Sequence, residues 1–265
     1  MKKTRIIMAA MLSATVMVAA AVSACAEDAP EGYVTFYADK NTIGQGLIVE
    51  PVEVPFYEGD SGIDIVQRAA DVLVAESDYG NYIEAFADTD NGAELPAAVA
   101  QACPAMFGRN TEGYLSAYDY TAESGWNWFL NGESALVGIS GYEPADGDVV
   151  VFRFTVYGYG SDLGIDNSSW GGAAALVELT DTSELARLAA ANKESAAYDA
   201  AIEVLGTFGA SQADIDAAVE AFAESDADVS GTSDKQSPET GAESIAAVIG
   251  ITAIAGAVLA ATKKR

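Results

Sequence analysis

The chain has 265 residues and a net charge of −27, so it is long enough for one or two globular domains and too acidic to bind nucleic acid, which requires clustered Lys and Arg. It contains no His, which excludes a Ser-His-Asp or Cys-His mechanism and removes the commonest metal ligand. Its two cysteines, Cys25 and Cys103, are too few for a disulfide framework. We therefore expect a protein that is not an enzyme and requires no cofactor.

Residues 1–26 have the composition of a cleaved secretory signal peptide. A positive segment with Lys2, Lys3 and Arg5 precedes an apolar stretch from 6 to 22. Two processing sites fit the small residues that follow. Ala24-Cys25-Ala26 matches an A-x-A cleavage site, whereas Val22-Ser23-Ala24-Cys25 resembles a bacterial lipoprotein box in which Cys25 is acylated.

The first folded elements are predicted to be two strands and a helix. Residues 33–37 are β-branched or aromatic and favour a strand. A second strand over residues 48–56 contains Pro51 and Pro55, which predict an edge position. Asp60-Ser61 and Asp64 have the pattern of a capping box, and an apolar stripe from Ile63 to Leu73 follows at helical spacing.

Further strands are predicted after the helix. Residues 114–118, 126–130 and 149–156 are rich in β-branched and aromatic residues. Asn131-Gly132 is a strong hairpin turn signal. The order of these elements predicts an α+β domain over residues 32–160, with one helix packed on a sheet.

Three blocks in this domain carry a family resemblance: Gly125-Trp126-Asn127-Trp128-Phe129-Leu130-Asn131-Gly132, Gly141-Tyr142, and Asp146-Gly147-Asp148 before a strand. Together they are similar to a bacterial surface domain of unknown function that is related to the C-terminal domain of transcobalamin and intrinsic factor. The resemblance implies a β-grasp-like fold, and it makes cobalamin or another corrinoid a candidate ligand.

Four residues of these blocks are candidate ligand contacts: Trp126, Trp128, Asn131 and Tyr142. Aromatic faces beside an amide suit a flat, amphipathic ligand. An alternative is that Trp126 and Trp128, which share one face of a strand, pack on the helix as core residues. Asn131 is also explained by the turn that it forms with Gly132.

The chain after the sheet domain is predicted to contain a linker, helices and a stalk. Residues 161–180 are rich in Gly and Ser and indicate a linker. Residues 181–224 are Ala-rich with helical periodicity and predict a helical hairpin. Ala210-Ser211-Gln212 and Asp216-Ala217-Ala218 resemble a repeat of Gram-positive wall proteins, which is a spacer or a sugar-binding module; we expect a spacer. Residues 225–236 are polar and acidic, as in a flexible stalk.

Residues 237–265 resemble a sortase cell-wall sorting signal. Ser237-Pro238-Glu239-Thr240-Gly241 precedes an apolar run over 245–261 and a basic tail. The resemblance implies cleavage between Thr240 and Gly241, with Ser237 standing where the usual motif has Leu. A plain transmembrane anchor is the alternative.

Together these features predict an extracellular protein that is anchored to the wall or membrane of a Gram-positive-type bacterium. Sortase and peptidoglycan are the expected partners, and the C-terminal helix contacts the membrane before sorting. The leading hypothesis is capture of a corrinoid or similar small ligand, with or without a surface or transport partner protein. The alternative is a structural or adhesive protein that contacts proteins or glycans.

Overall fold

The computed structural model describes residues 29–231 apart from 79, 90, 104, 105, 107 and 110, with the backbone alone for 226–231. The expected signal peptide with Cys25 and the expected sorting signal with Thr240, Gly241 and the apolar run 245–261 lie outside the described residues. In the part of the chain that is described, none of the helices has both the length and the apolar character needed to cross a bilayer.

The described residues form both strands and helices, which confirms the α+β class. The strands are β1 (Gly32–Asp39), β2 (Leu47–Phe56), β3 (Val72–Ala75), β4 (Tyr82–Ala87), β5 (Tyr114–Ser116), β6 (Gly125–Leu130), β7 (Glu133–Ser134) and β8 (Val149–Thr155). The helices are α1 (Gly62–Ala69), α2 (Ala97–Ala102), α3 (Ser183–Ala191), α4 (Tyr198–Leu205) and α5 (Gln212–Gly231).

The larger sheet has the strand order β2-β1-β8-β6-β7. The first and last strands, β1 and β8, lie parallel at its centre, and the other neighbours are antiparallel. Both central strands are buried on nearly every residue because both faces of the sheet are covered. Pro51 and Pro55 lie on β2 at the edge, as predicted, since Pro has no N–H to donate to a second neighbour.

Helix α1 covers one face of the larger sheet. The predicted capping box is present, because Ser61 N donates to Asp64 Oδ2 at 2.8 Å at the helix start. Ile65 and Val66 are fully buried against the sheet. The apolar stripe was expected to continue to Leu73, which was wrong. The helix ends at Ala69 because the next residue is extended, and Leu73 lies on β3.

A second, three-stranded sheet with the order β3-β4-β5 is inserted between α1 and β6. Its antiparallel strands include the expected strand near Tyr114 as β5, whereas β3 and β4 were not predicted. Phe86 of β4 is fully buried, with its ring centroid 5.5 Å from that of Phe152 and 6.4 Å from that of Phe36. This aromatic contact fixes the small sheet to the same face that α1 covers.

Three helices cover the opposite face of the larger sheet. Tyr37, Phe129 and Val151 point to this side and form one core with Leu185 of α3 and Phe222 of α5. The prediction of a hairpin over 181–224 therefore needs correction in two ways: there are three helices, and they form a layer of the fold. The polar stretch 192–196 separates α3 from α4 and interrupts the helical structure there.

The expected linker over 161–180 is also packed structure. Ser161, Asp162 and Leu163 are buried, and Asp162 Oδ2 accepts the backbone N–H groups of Val156 and Tyr157 at 2.8 and 3.2 Å. Gly164 and Gly171 take left-handed backbone conformations in tight turns, which explains why the composition of this stretch resembles that of a linker. The expected stalk begins inside α5, whose backbone runs to Gly231.

Candidate functional site

Strand β6 positions the two tryptophans on one face of the sheet, as their spacing predicted. Trp126 lies where the two sheets meet, with its ring centroid 4.4 Å from that of Phe86 and 5.1 Å from that of Phe154. Its Nε1 donates to the carbonyl of Leu115 at 3.0 Å. The contacts of Trp126 are therefore those of a core residue that joins β6 to the inserted sheet.

Trp128 lies further along β6 and supports the segment that follows the hairpin. Its Nε1 donates to the carbonyl of Val137 at 3.0 Å, and its own carbonyl accepts the N–H of Ala135 at 3.1 Å. Its ring centroid is 5.5 Å from that of Tyr142. Trp128 thus fixes both the segment before residue 138 and the tyrosine beyond it.

Asn131 and Tyr142 converge on the carboxylate of Asp148. Asn131 Nδ2 donates to Oδ1 at 2.8 Å and Tyr142 OH donates to Oδ2 at 2.6 Å. Burial, together with this hydrogen bond, raises the pKa of Tyr142 well above its usual value. Asn131 also has a left-handed backbone with φ of 51° and accepts the N–H of Val149, so it forms the predicted turn.

The structure therefore brings Trp128, Asn131 and Tyr142 together and leaves Trp126 at the other end of β6. Their role in binding a ligand stays a prediction. The polar atoms described here already have partners inside the protein. A ligand would thus contact the surface that these residues hold in place.

That surface is a segment of four residues, 135–138, which we name the apolar loop. Leu136 is 99% exposed and Val137 is 57% exposed. Neither residue was predicted from the sequence, although two consecutive apolar residues after a hairpin are a signal that was available. The hydrogen bonds to Trp128 hold the loop in place, so its apolar side chains are presented to solvent by an ordered backbone.

A cleft of about 490 Å³ is lined in part by residues 140–144, which follow the apolar loop in the chain. We name it the Tyr142 cleft. Its volume is within the range of small-molecule sites. The N–H of Gly62 donates to the carbonyl of Tyr142 at 3.0 Å, which connects this wall of the cleft to the start of α1. The lining includes three carboxylates, Glu31, Asp60 and Glu143.

A second polar cluster is buried between the sheet and the three helices. Arg153 Nη2 donates to Thr182 Oγ1 at 3.0 Å and to Tyr37 OH at 3.2 Å, and its Nε lies 3.5 Å from Asp39 Oδ2. Burial raises the pKa of Asp39 to about 6, and it raises that of Asp162 to about 6 as well. The pocket here measures about 50 Å³, which leaves room for little more than water.

No group of three or more Cys, Asp or Glu side chains suited to holding a metal ion occurs among the described residues. The three carboxylates of the Tyr142 cleft make this part of the surface acidic. Asp60 in this cleft is already paired with Arg68, at 2.9 Å.

Comparison with known families gives a match within the sheet domain. Residues 111–156 match the model of DUF4430, a domain of unknown function. The matched segment contains β6, β7, β8 and the apolar loop, and it covers well under half of the chain. It confirms the coarser part of the expected resemblance, namely a domain of unknown function. No curated protein matches the chain.

Proposed function

We propose that the chain is a binding protein that captures a flat, partly apolar small ligand at the apolar loop, with a corrinoid such as cobalamin as the ligand to test first. One observation carries this proposal: Leu136 and Val137 are exposed on a loop that is hydrogen-bonded in place. An ordered apolar surface binds at a low cost in conformational entropy, because nothing has to be immobilised first.

The arrangement of the sheet supports the choice of ligand class. A central parallel pair of first and last strands, with a helix after the second strand, supports a β-grasp-like assignment. The matched family segment supports the relation to the C-terminal domain of transcobalamin and intrinsic factor. In the resembling carriers a second domain covers the other face of the ligand, so capture by this chain with a partner protein is part of the proposal.

The test is a titration of the full-length chain, held in a mild detergent, with cyanocobalamin and with cobinamide. Tryptophan fluorescence is the readout, since Trp128 contacts the apolar loop. Full burial of a Leu or Val side chain contributes about 1.5–3 kcal/mol. Leu136→Ser should therefore weaken binding by about tenfold or more.

Leu73→Ser is the matched control, because Leu73 is a partly exposed leucine on β3 outside the apolar loop. Saturable binding that Leu136→Ser weakens and Leu73→Ser leaves intact would support the proposal. The absence of a fluorescence change in folded protein with either ligand would refute unaided corrinoid capture.

A structural or adhesive role is the second candidate, and a different observation favours it. The apolar loop protrudes, since Leu136 is almost completely exposed, and a protruding leucine fits a pocket on a partner protein. Photocrosslinking from position 137 on intact cells distinguishes the two roles. A crosslinked protein partner in the absence of corrinoid would favour adhesion.

We also propose that the protein is exported and held at the cell surface, and that it binds without catalysing a reaction. The signal-like residues 1–26 and the sorting-like residues 237–265 support this location, and the absence of His supports the lack of catalysis. Mass spectrometry of wall fragments should detect a peptide ending at Thr240. A Cys25→Ala variant that is released into the medium would instead indicate a lipid anchor.

A further inference from the structure

Two large aromatic side chains are exposed outside the matched family segment, in the stretch 157–173 that follows β8. We name this stretch the aromatic loop. Trp170 is 89% exposed and Tyr159 is 68% exposed. Solvent exposure of such large rings is unfavourable by about 25 cal/mol for each Å² of apolar surface, so the arrangement calls for an explanation beyond folding.

The aromatic loop is held together by its own hydrogen bonds. Asn167 Nδ2 donates to the carbonyl of Gly158 at 2.8 Å, next to Tyr159 in the chain. The carbonyl of Asn167 accepts the N–H of Trp170 at 3.1 Å, and Ser161 Oγ donates to the carbonyl of Ala173 at 3.0 Å. The two aromatic residues are therefore presented by an ordered backbone, and both rings are rigid contact surfaces with few rotatable bonds.

The charge of the aromatic loop indicates what it binds. The loop contains Asp162 and Asp166 and no Lys or Arg. Asp162 is buried, so Asp166 supplies the exposed charge. Ser168 hydrogen-bonds to the Asp166 carboxylate and holds its pKa below the usual value, which keeps it ionised. Aromatic faces beside a carboxylate attract organic cations through the ring quadrupole and through charge.

The whole chain reinforces this preference. Its net charge of −27 repels anionic surfaces and attracts basic ones. Of the described basic residues, Lys40, Arg68, Arg109, Arg153 and Arg187 are each paired with a carboxylate. The surface is thus left with many acidic groups and little compensating positive charge.

We propose that the aromatic loop is a docking surface for a lysine- or arginine-bearing segment of a partner protein, with Trp170 and Tyr159 supplying the aromatic faces and Asp166 the charge. The aromatic loop shares no residue with the apolar loop, and the proposal does not depend on corrinoid capture.

The experiment measures binding of the full-length chain, in mild detergent, to a fluorescent peptide of alternating glycine and lysine by anisotropy. The corresponding glycine–glutamate peptide is the charge control. Trp170→Ala should weaken binding of the lysine peptide by about threefold to tenfold, as expected for loss of a cation–π contact. Trp170→Phe should recover part of that loss. Because Trp170 is almost fully exposed, neither change removes packing.

Two further variants separate a local site from general attraction by the acidic surface. Asp166→Asn and Glu53→Gln each remove one exposed negative charge. In the strand register, Glu53 of β2 lies opposite Thr35 of β1, which in turn lies opposite Val149 at the start of β8. The aromatic loop follows the end of β8, so Glu53 lies at the opposite end of the sheet from it. Asp166→Asn should weaken binding of the lysine peptide more than Glu53→Gln does.

Three outcomes would overturn the proposal. The first is equal binding of the lysine peptide by the native chain and by Trp170→Ala. The second is Trp170-dependent binding of chitotetraose without binding of the lysine peptide, which would indicate a saccharide surface. The third is Trp170-dependent sedimentation with phosphatidylcholine vesicles without peptide binding, which would indicate a membrane headgroup.

Discussion

Replacing Arg153 by Met tests whether the cluster between the sheet and the helices depends on its central charge. The Arg153 side chain is 12% exposed and that of Asp39 is 3% exposed. The guanidinium donates to Thr182 and Tyr37 and lies over the ring of Phe129, 4.9 Å from its centroid. Met preserves much of the apolar stem but leaves the Asp39 carboxylate buried without a cation.

The magnitude follows from these contacts. Removing one partner of a buried ion pair typically costs about 3–5 kcal/mol, because the other charge remains buried and unpaired. The distance of 3.5 Å between Arg153 Nε and Asp39 Oδ2 is long for a hydrogen bond, which favours the lower end. We expect Arg153→Met to lower the free energy of unfolding by about 3 kcal/mol, a large part of the roughly 5–15 kcal/mol typical of a domain.

Urea unfolding at neutral pH, followed by tryptophan fluorescence, measures this loss. Asp39→Asn and the double variant complete a thermodynamic cycle. Adding Asp39→Asn to the Arg153→Met variant should restore about 2 kcal/mol of the lost free energy of unfolding, because it removes the unpaired buried charge. Arg187→Met is the matched control, because Arg187 pairs with Glu184 at an exposed position. This substitution should lower the free energy of unfolding by under about 1 kcal/mol. The reasoning fails if Arg153→Met lowers the free energy of unfolding no more than Arg187→Met does. It also fails if the loss in the double variant equals the sum of the losses in the two single variants.

Four other predictions use the same unfolding measurement. Phe86→Ala should cost about 3–5 kcal/mol, since it empties the contact between the two sheets; a loss under about 1 kcal/mol would contradict that packing. Ser61→Ala should cost about 1 kcal/mol by removing the cap of α1, whereas Ser61→Gly should cost less. Asn131→Ala should cost about 2 kcal/mol through lost hydrogen bonds and a left-handed backbone. Asp39 and Asp162 have pKa values of about 6 in the folded chain, above the ordinary value of 3.8. Each carboxyl therefore contributes its full stabilisation of the folded state below pH 3.8, and this contribution is lost as the pH rises through 6. Asp39→Asn should flatten the stability profile between these limits, and an unchanged profile would contradict the raised pKa.

The elements that local sequence signals specify were predictable. The capping box at Ser61 located α1, the prolines of β2 located the edge, and Asn131-Gly132 located the β6–β7 turn. Each of these signals acts through the residue's own backbone or its near neighbours in the chain. Such signals hold wherever the segment packs.

The inserted sheet and the packed segment 161–180 were not predictable in this way. Strands β3 and β4 have four and six residues, which is too short for periodicity to separate them from helix. The segment 161–180 has a linker's composition, and only the buried contacts of Asp162 with the end of β8 show that it is fixed.

The candidate site was partly predictable for the same reason. The alternation of β6 placed Trp126 and Trp128 on one face, which the structure confirms. The sequence does not reveal that Trp126 meets Phe86, because that partner comes from a strand that was not predicted. It also does not reveal that Leu136 is exposed, since exposure depends on the course of the whole loop.

The central position of β1 and β8 has a consequence for how the chain folds. Thr35 pairs with Val149, so the two strands meet only after almost the whole sheet domain has been synthesised. Contacts between residues so far apart in sequence form slowly, because a long loop must close first. For an exported chain, as proposed above, slow closure keeps β1 free while the chain is in transit. The same delay makes a chain truncated before β8 prone to aggregation, since β1 would keep an open edge.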